Sequence, residues 1–100
     1  MATSMRIVTR DATDGISFAD YANGIRLNEL VESIARALGT TAHRPKGSPL
    51  ELLIGFEGYP EGFELWWDGF TCELGCSSPC GVDMDKIVAR LLASQAFVVA

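Results

Sequence analysis

Two periodicities divide the chain. Leu27, Leu30, Val31, Ile34 and Leu38 recur at helical spacing, while Glu29, Glu32, Ser33 and Arg36 fall off that stripe. The spacing predicts a helix over residues 25–38, with Glu32 and Arg36 as an i,i+4 pair and Gly39 as its C-terminal cap. Asn28 can cap its start, or the helix begins near Asn23. Met84, Ile87, Val88, Leu91 and Leu92 repeat the pattern and predict a second helix over residues 83–95, with Asp83 as N-cap. Between the helices the period falls to two. Leu50, Leu52, Ile54 and Phe56 alternate with Glu51, Leu53 and Gly55, which predicts a strand over 50–56. Further strands follow at 63–67 and 70–74, joined at Asp68-Gly69, a dipeptide suited to a two-residue type I′ turn.

That turn sets a register. Trp67 faces Phe70, Leu65 faces Cys72 and Phe63 faces Leu74 on one apolar side, while Trp66 faces Thr71 and Glu64 faces Glu73 on the other. Pairing Phe56 with Phe63 then sets Ile54 opposite Leu65 and Leu52 opposite Trp67, so the apolar faces agree across all three strands. The outer face holds Glu51, Leu53, Gly55, Glu57, Glu64, Trp66, Asp68, Thr71 and Glu73. Leu53 and Trp66 are neighbours there within a ring of carboxylates. The expected fold is α+β: a two-layer sandwich in which a three-stranded antiparallel meander packs on two helices. A short extra strand is expected at residues 5–10. Residues 11–24 carry turn signals around Ile16, Phe18 and Tyr21, residues 40–49 and 75–82 read as loops, and residues 96–100 either extend the second helix or form an edge strand.

Length and composition bound the rest. One hundred residues, 48% hydrophobic and 21% charged, make one globular domain spanning residues 1–100. No apolar run approaches the roughly 20 residues of a membrane-spanning helix, and the first residues lack the apolar centre of a secretory leader, so a cytoplasmic location is expected. The net charge of −5 is uneven: residues 1–48 hold six basic and five acidic side chains, residues 49–100 two basic and eight acidic. An acidic surface repels nucleic-acid backbones and attracts basic partners.

The order helix, three strands, helix resembles that of double-stranded-RNA-binding domains. That family carries lysines at the start of its last helix. Here Val82-Asp83-Met84-Asp85-Lys86 is acidic, so RNA binding is not implied. In size and charge the chain is similar to bacterial immunity proteins and phage-encoded inhibitors.

Candidate chemistry reduces to three groups. Cys72, Cys76 and Cys80, spaced C-x3-C-x3-C, together with His43 have the donor types of a Cys3His zinc site. Yet Cys72 falls in the core-facing series with Phe70 and Leu74, and a strand holds Cys72 and Cys76 about 13 Å apart, at about 3.3 Å per residue. A Cys76–Cys80 disulfide is disfavoured in a reducing compartment. A Cys80 nucleophile with His43 as base is opposed by Asp83 and Asp85 beside it, and no nucleophile, base and orienting group converge. The third group is the outer face. Like charges opposed across strands and a tryptophan turned to solvent serve folding poorly, and suit a binding surface. The expectation is a non-enzymatic protein-interaction module without cofactor or metal, binding through Trp66, Leu53, Glu51, Glu64, Asp68 and Glu73. Its partner would be a basic surface of another protein, in the manner of an immunity or inhibitor protein. The alternatives are a structural homodimer, joined by an edge strand or helix packing, and a metal-supported domain using Cys72, Cys76, Cys80 and His43.

Overall fold

A computed structural model describes residues 3–9, 14–18, 26–48, 50–69, 71–77 and 80–99. In chain order the elements are β1 (Thr3–Thr9), β2 (Asp14–Ser17), α1 (Leu27–Leu38), β3 (Lys46–Ser48), β4 (Glu51–Gly55), β5 (Phe63–Trp67), β6 (Cys72–Cys76), α2 (Met84–Ala93) and β7 (Phe97–Val99). The class is α+β, but the sheet is larger than expected. It has seven strands in the order β3-β4-β5-β6-β2-β1-β7, where a meander of three was anticipated. All neighbours are antiparallel except β1 and β7, which run parallel with Thr3 opposite Phe97. The sheet is therefore mixed, and the likeness in element order to the RNA-binding domains ends here, because β1 and β2 precede α1 and join the same sheet.

The helices form for the local reasons their sequences give. α1 ends at Gly39, whose φ of 68° is the left-handed cap conformation that glycine adopts without penalty. Its start carries no side-chain cap, since Arg26 occupies the N-cap position and Asn28 Oδ1 instead accepts from the Glu29 N–H at 3.0 Å. α2 starts as expected, with the Asp83 carboxylate accepting from the Asp85 N–H at 3.0 Å. Gln95, at φ 64°, turns the chain from α2 into β7, so residues 97–99 become an edge strand rather than more helix.

The core lies between the helices and one sheet face. Ile54, Leu65, Leu74 and Ile16 form a buried row across β4, β5, β6 and β2, and Leu30, Ile34, Leu38, Ile87 and Leu91 cover it from the helices. Each fully buried aliphatic side chain contributes about 1.5–3 kcal/mol. Two expected core residues are outside it. Leu50 is 81% exposed because it sits in the turn between β3 and β4, where its N–H binds Ser48 Oγ, and Leu92 at the margin of its stripe is 39% exposed.

The register between β5 and β6 differs from the expected one by two residues. Trp67 faces Cys72, Trp66 faces Glu73, Leu65 faces Leu74, Glu64 faces Gly75 and Phe63 faces Cys76. The loop is Asp68–Thr71, four residues rather than two. Asp68 is not at positive φ, which a type I′ turn would require. Its carboxylate instead accepts from the Thr71 N–H (2.7 Å) and hydroxyl (3.0 Å), while its own N–H donates to the Thr71 carbonyl. A slip of two leaves every side chain on its expected face. It also ends the opposition of Glu64 and Glu73, which stand against Gly75 and Trp66. Between β4 and β5 the pairs are Leu52–Trp67, Leu53–Trp66 and Ile54–Leu65. The expected Trp67–Phe70 pair is thereby replaced by Trp67–Cys72, while Phe70 itself, Tyr21 and the Asn23 cap lie outside the described residues.

Candidate functional site

The outer sheet face is organised in rows. One row crosses six strands as Lys46, Leu53, Trp66, Glu73, Ser17 and Arg6, each directly opposite the next. The adjacent row runs Gly55, Glu64, Gly75, Gly15 and Val8. Two glycines side by side on β6 and β2 leave the sheet without side chains at that point. The result is a cavity of about 330 Å³. Gly15 and Gly75 are in its lining, Trp66, Leu53, Glu51, Glu64 and Glu73 border it, and Gly62, Cys76 and Ser77 line it too.

Five of the six residues expected at a contact surface therefore meet around one cavity, and Asp68 does not. Its carboxylate is used in the β5–β6 loop. Trp66 is half-buried rather than fully exposed, because Leu53 and Glu73 flank it on both sides. Glu57 is likewise drawn away: its Oε2 lies 2.9 Å from His43 Nε2. The stretch 41–43 runs along the end of β4, with the His43 N–H donating to the Gly55 carbonyl and the Glu57 N–H to the Thr41 carbonyl, both at 2.9 Å. This brings the imidazole over Gly55, where a Cβ would stand 3.1 Å from Nδ1, so the position favours glycine.

Beyond Glu64 the face continues into a second depression of about 260 Å³, bordered by His43, Arg44 and Lys46. The site is thus acidic around Trp66 and basic at its β3 side. Arg44 and Lys46 belong to the 40–49 stretch that reads as a loop. Its position against the carboxylates was hidden, because β3 is only three residues long and reads as loop. Gly15 was missed for a similar reason: Asp14-Gly15 resembles a turn, and becomes strand only by pairing on both sides, with β1 and β6.

The cysteines and His43 do not form a common site. Cys76 is disulfide-bonded to Cys80, Cys72 is buried in the core, and His43 lies beside Glu57. Among the described residues no group of three His, Cys, Asp or Glu could hold a metal ion. Burial, and then the nearby charges of Glu73 and Asp68, push the Cys72 thiol up to about 12. It stays protonated at neutral pH and is not a nucleophile.

A larger groove of about 570 Å³ lies between α1 and the 40–45 segment, floored by Leu27, Val31, Ala35 and Ile54. Its rim charges, Glu32 and Arg36, bind each other at 3.3 Å. The outer-face cavity is the place where chemistry converges. Carboxylates accept charge-assisted hydrogen bonds from guanidinium and ammonium groups, indole rings also attract such cations, and both kinds of side chain border this cavity. No helix among the described residues is long and apolar enough to cross a membrane. No protein-family model, curated protein or solved structure matches the chain.

Proposed function

We propose that the chain is a small acidic, non-enzymatic interaction module that receives a basic side chain of a partner protein in the outer-face cavity. The observation that carries this reading is the position of Trp66 and Leu53 beside Glu51, Glu64 and Glu73 around one cavity. An aromatic residue at the centre of a contact contributes disproportionately, and carboxylates around it steer a cationic partner and fix its orientation. A module of this kind can cover a basic site on another protein, as immunity and inhibitor proteins do. The cytoplasmic location expected from the sequence belongs to the same proposal. In that compartment a disulfide usually has a redox role rather than that of a permanent staple.

The test is the binding of a fluorescently labelled short arginine-rich peptide, followed by anisotropy at low and physiological salt. The wild-type protein binds it more weakly as salt rises. Glu64→Gln with Glu73→Gln, and separately Trp66→Ala, weaken it at least about tenfold, or about 1.4 kcal/mol, with the circular dichroism unchanged. Equal affinity in all three proteins would sink the proposal.

A second reading, homodimerisation, is favoured by β7. This edge strand carries no charge and exposes Val98 and Val99 by 45% and 53%, an unguarded edge of the kind that pairs with another strand. Sedimentation equilibrium of wild-type and Val98→Lys protein separates the two readings: a monomer in both removes the dimer.

A further inference from the structure

The Cys76–Cys80 disulfide lies at the cavity, not remote from it. Cys76 is the last residue of β6 and lines the cavity together with Ser77. The Ser77 N–H donates to the Gly62 carbonyl at 2.9 Å, and Cys80 Cβ stands 4.0 Å from where a Cβ of Gly62 would be. Ser77 and Cys80, beside and at the bond, thus stand against Gly62, itself part of the lining. Gly62 and Gly81, at φ 96° and 79°, turn the chain on either side of the contact.

We propose that this disulfide is a redox latch for the outer-face cavity: oxidised, it holds the Gly62–Ser77 end in place; reduced, it releases that end and weakens cation binding. This rests on the cavity being the binding site. Three features fit a reversible bond. Cys76 and Cys80 are half-buried, so a small thiol can reach them, whereas a structural disulfide is usually enclosed. The bond spans only four positions, so closing it constrains the unfolded chain little, and the rest of the fold has small dependence on it. The third cysteine cannot interfere: Cys72 is enclosed in the core and its thiol is held protonated, which confines exchange to the Cys76–Cys80 pair.

The chemistry is thiol–disulfide exchange with a low-molecular-weight thiol such as glutathione. A thiolate of the reductant attacks one sulfur, the Cys76–Cys80 bond breaks and a mixed disulfide forms. A second thiol resolves it, leaving two protein thiols and one molecule of oxidised reductant. Two electrons pass to the protein, and the two new thiols take up the protons that the two reductant thiols give up.

The experiment is amide hydrogen exchange with mass-spectrometric thiol counting, on the full chain, before and after treatment with reduced glutathione and after return to oxidised glutathione. The expected result is that reduction speeds exchange at the Ser77 amide at least about tenfold, leaves the β5 and α2 amides unchanged, and is reversed on reoxidation. The Cys76→Ser, Cys80→Ser double variant reproduces the reduced pattern without reductant. Arginine-rich peptide affinity, measured in parallel, falls at least about tenfold on reduction. Unchanged exchange at Ser77 overturns the latch, as does equal acceleration in β5 and α2, which would make the bond a global staple. Peptide bound equally in both redox states also overturns it. Peptide bound in neither state refutes the binding site instead, and Ser77 exchange then still reports whether the latch moves.

Discussion

A side chain added at Gly15 separates the cavity from the fold. Gly15 lies in the cavity lining on β2. Its φ is outside the left-handed region, and among the described residues a Cβ built there meets only the Leu74 carbonyl oxygen, at 3.6 Å, an ordinary contact. Among those residues the backbone therefore accepts a Cβ without strain, and Gly15 lines the cavity. Glycine within a strand costs roughly 0.5–1 kcal/mol relative to alanine. Gly15→Ala should then raise stability by about that amount, and Gly15→Val by about 1 kcal/mol, given the strand preference of a β-branched residue. For a domain of this size each kcal/mol is roughly 4–8 °C in Tm. The isopropyl group of Gly15→Val also enters the 330 Å³ cavity beside Trp66, Glu64 and Glu73. Affinity for an arginine-rich peptide should fall at least about tenfold, or about 1.4 kcal/mol. Thermal melts followed by circular dichroism and an anisotropy titration measure both effects on the same samples. A lower Tm for Gly15→Ala, or unchanged affinity for Gly15→Val, refutes the reasoning. Few substitutions are expected to stabilise a protein while abolishing its binding, so the opposed signs make the test sharp.

Three further outcomes follow from the structure. Asp68→Ala removes the acceptor of both Thr71 hydrogen bonds and should destabilise by about 1–3 kcal/mol in urea unfolding, since bonds to charged groups contribute that much. Raising the pH past 9 should destabilise the wild type more than Cys72→Val. The unfolded thiol ionises above 9.0, while the folded one holds its proton to about 12, so the stability from the neutral buried thiol is present below pH 9 and is lost as pH climbs toward 12. The slope is at most about 1.4 kcal/mol per pH unit, read as the difference between the two proteins' pH profiles. Cys76→Ser with Cys80→Ser should lower stability by only about 2 kcal/mol, the loop-closure value for so short a segment, and a much larger loss by calorimetry would contradict the latch.

Legibility in the sequence followed the length and self-sufficiency of each element. α1, α2 and β5 carry their own periodicity, and their limits were readable within a few residues. The neighbour relation of Leu53 and Trp66 was also accessible, because pairing Phe56 with Phe63 across the short connection sets it, although alternation alone tolerates a slip of two. β2 and β3 were not accessible as paired strands, and β7 stood only as one of two alternatives. They have four, three and three residues, and hold their conformation through pairing with distant strands rather than through local preference. The β5–β6 loop failed for another reason: Asp68-Gly69 satisfies the sequence rule for a tight turn, but the Asp68 side chain offers the Thr71 backbone a competing hydrogen bond. The outer-face residues could be named from alternation alone. The cavity between them could not, because it is made by glycines on two strands that meet only in the folded sheet.

The sheet order has a consequence for synthesis. β2 sits between β6 and β1, and β1 gains its second neighbour only from β7. As the chain leaves the ribosome, the strands β3 to β6 can pair in the order they emerge. The hairpin of β1 and β2, made before them, must wait for β6 to offer its edge. Throughout that interval β2 has an open backbone edge and Ile16 has no core to enter, and such edges recruit other chains. The danger of aggregation is therefore greatest in the nascent chain and narrows to the short edge strands once β7 closes against β1. A chain cut before Phe97 would keep every residue that lines the outer-face cavity, yet leave β1 as a raw edge.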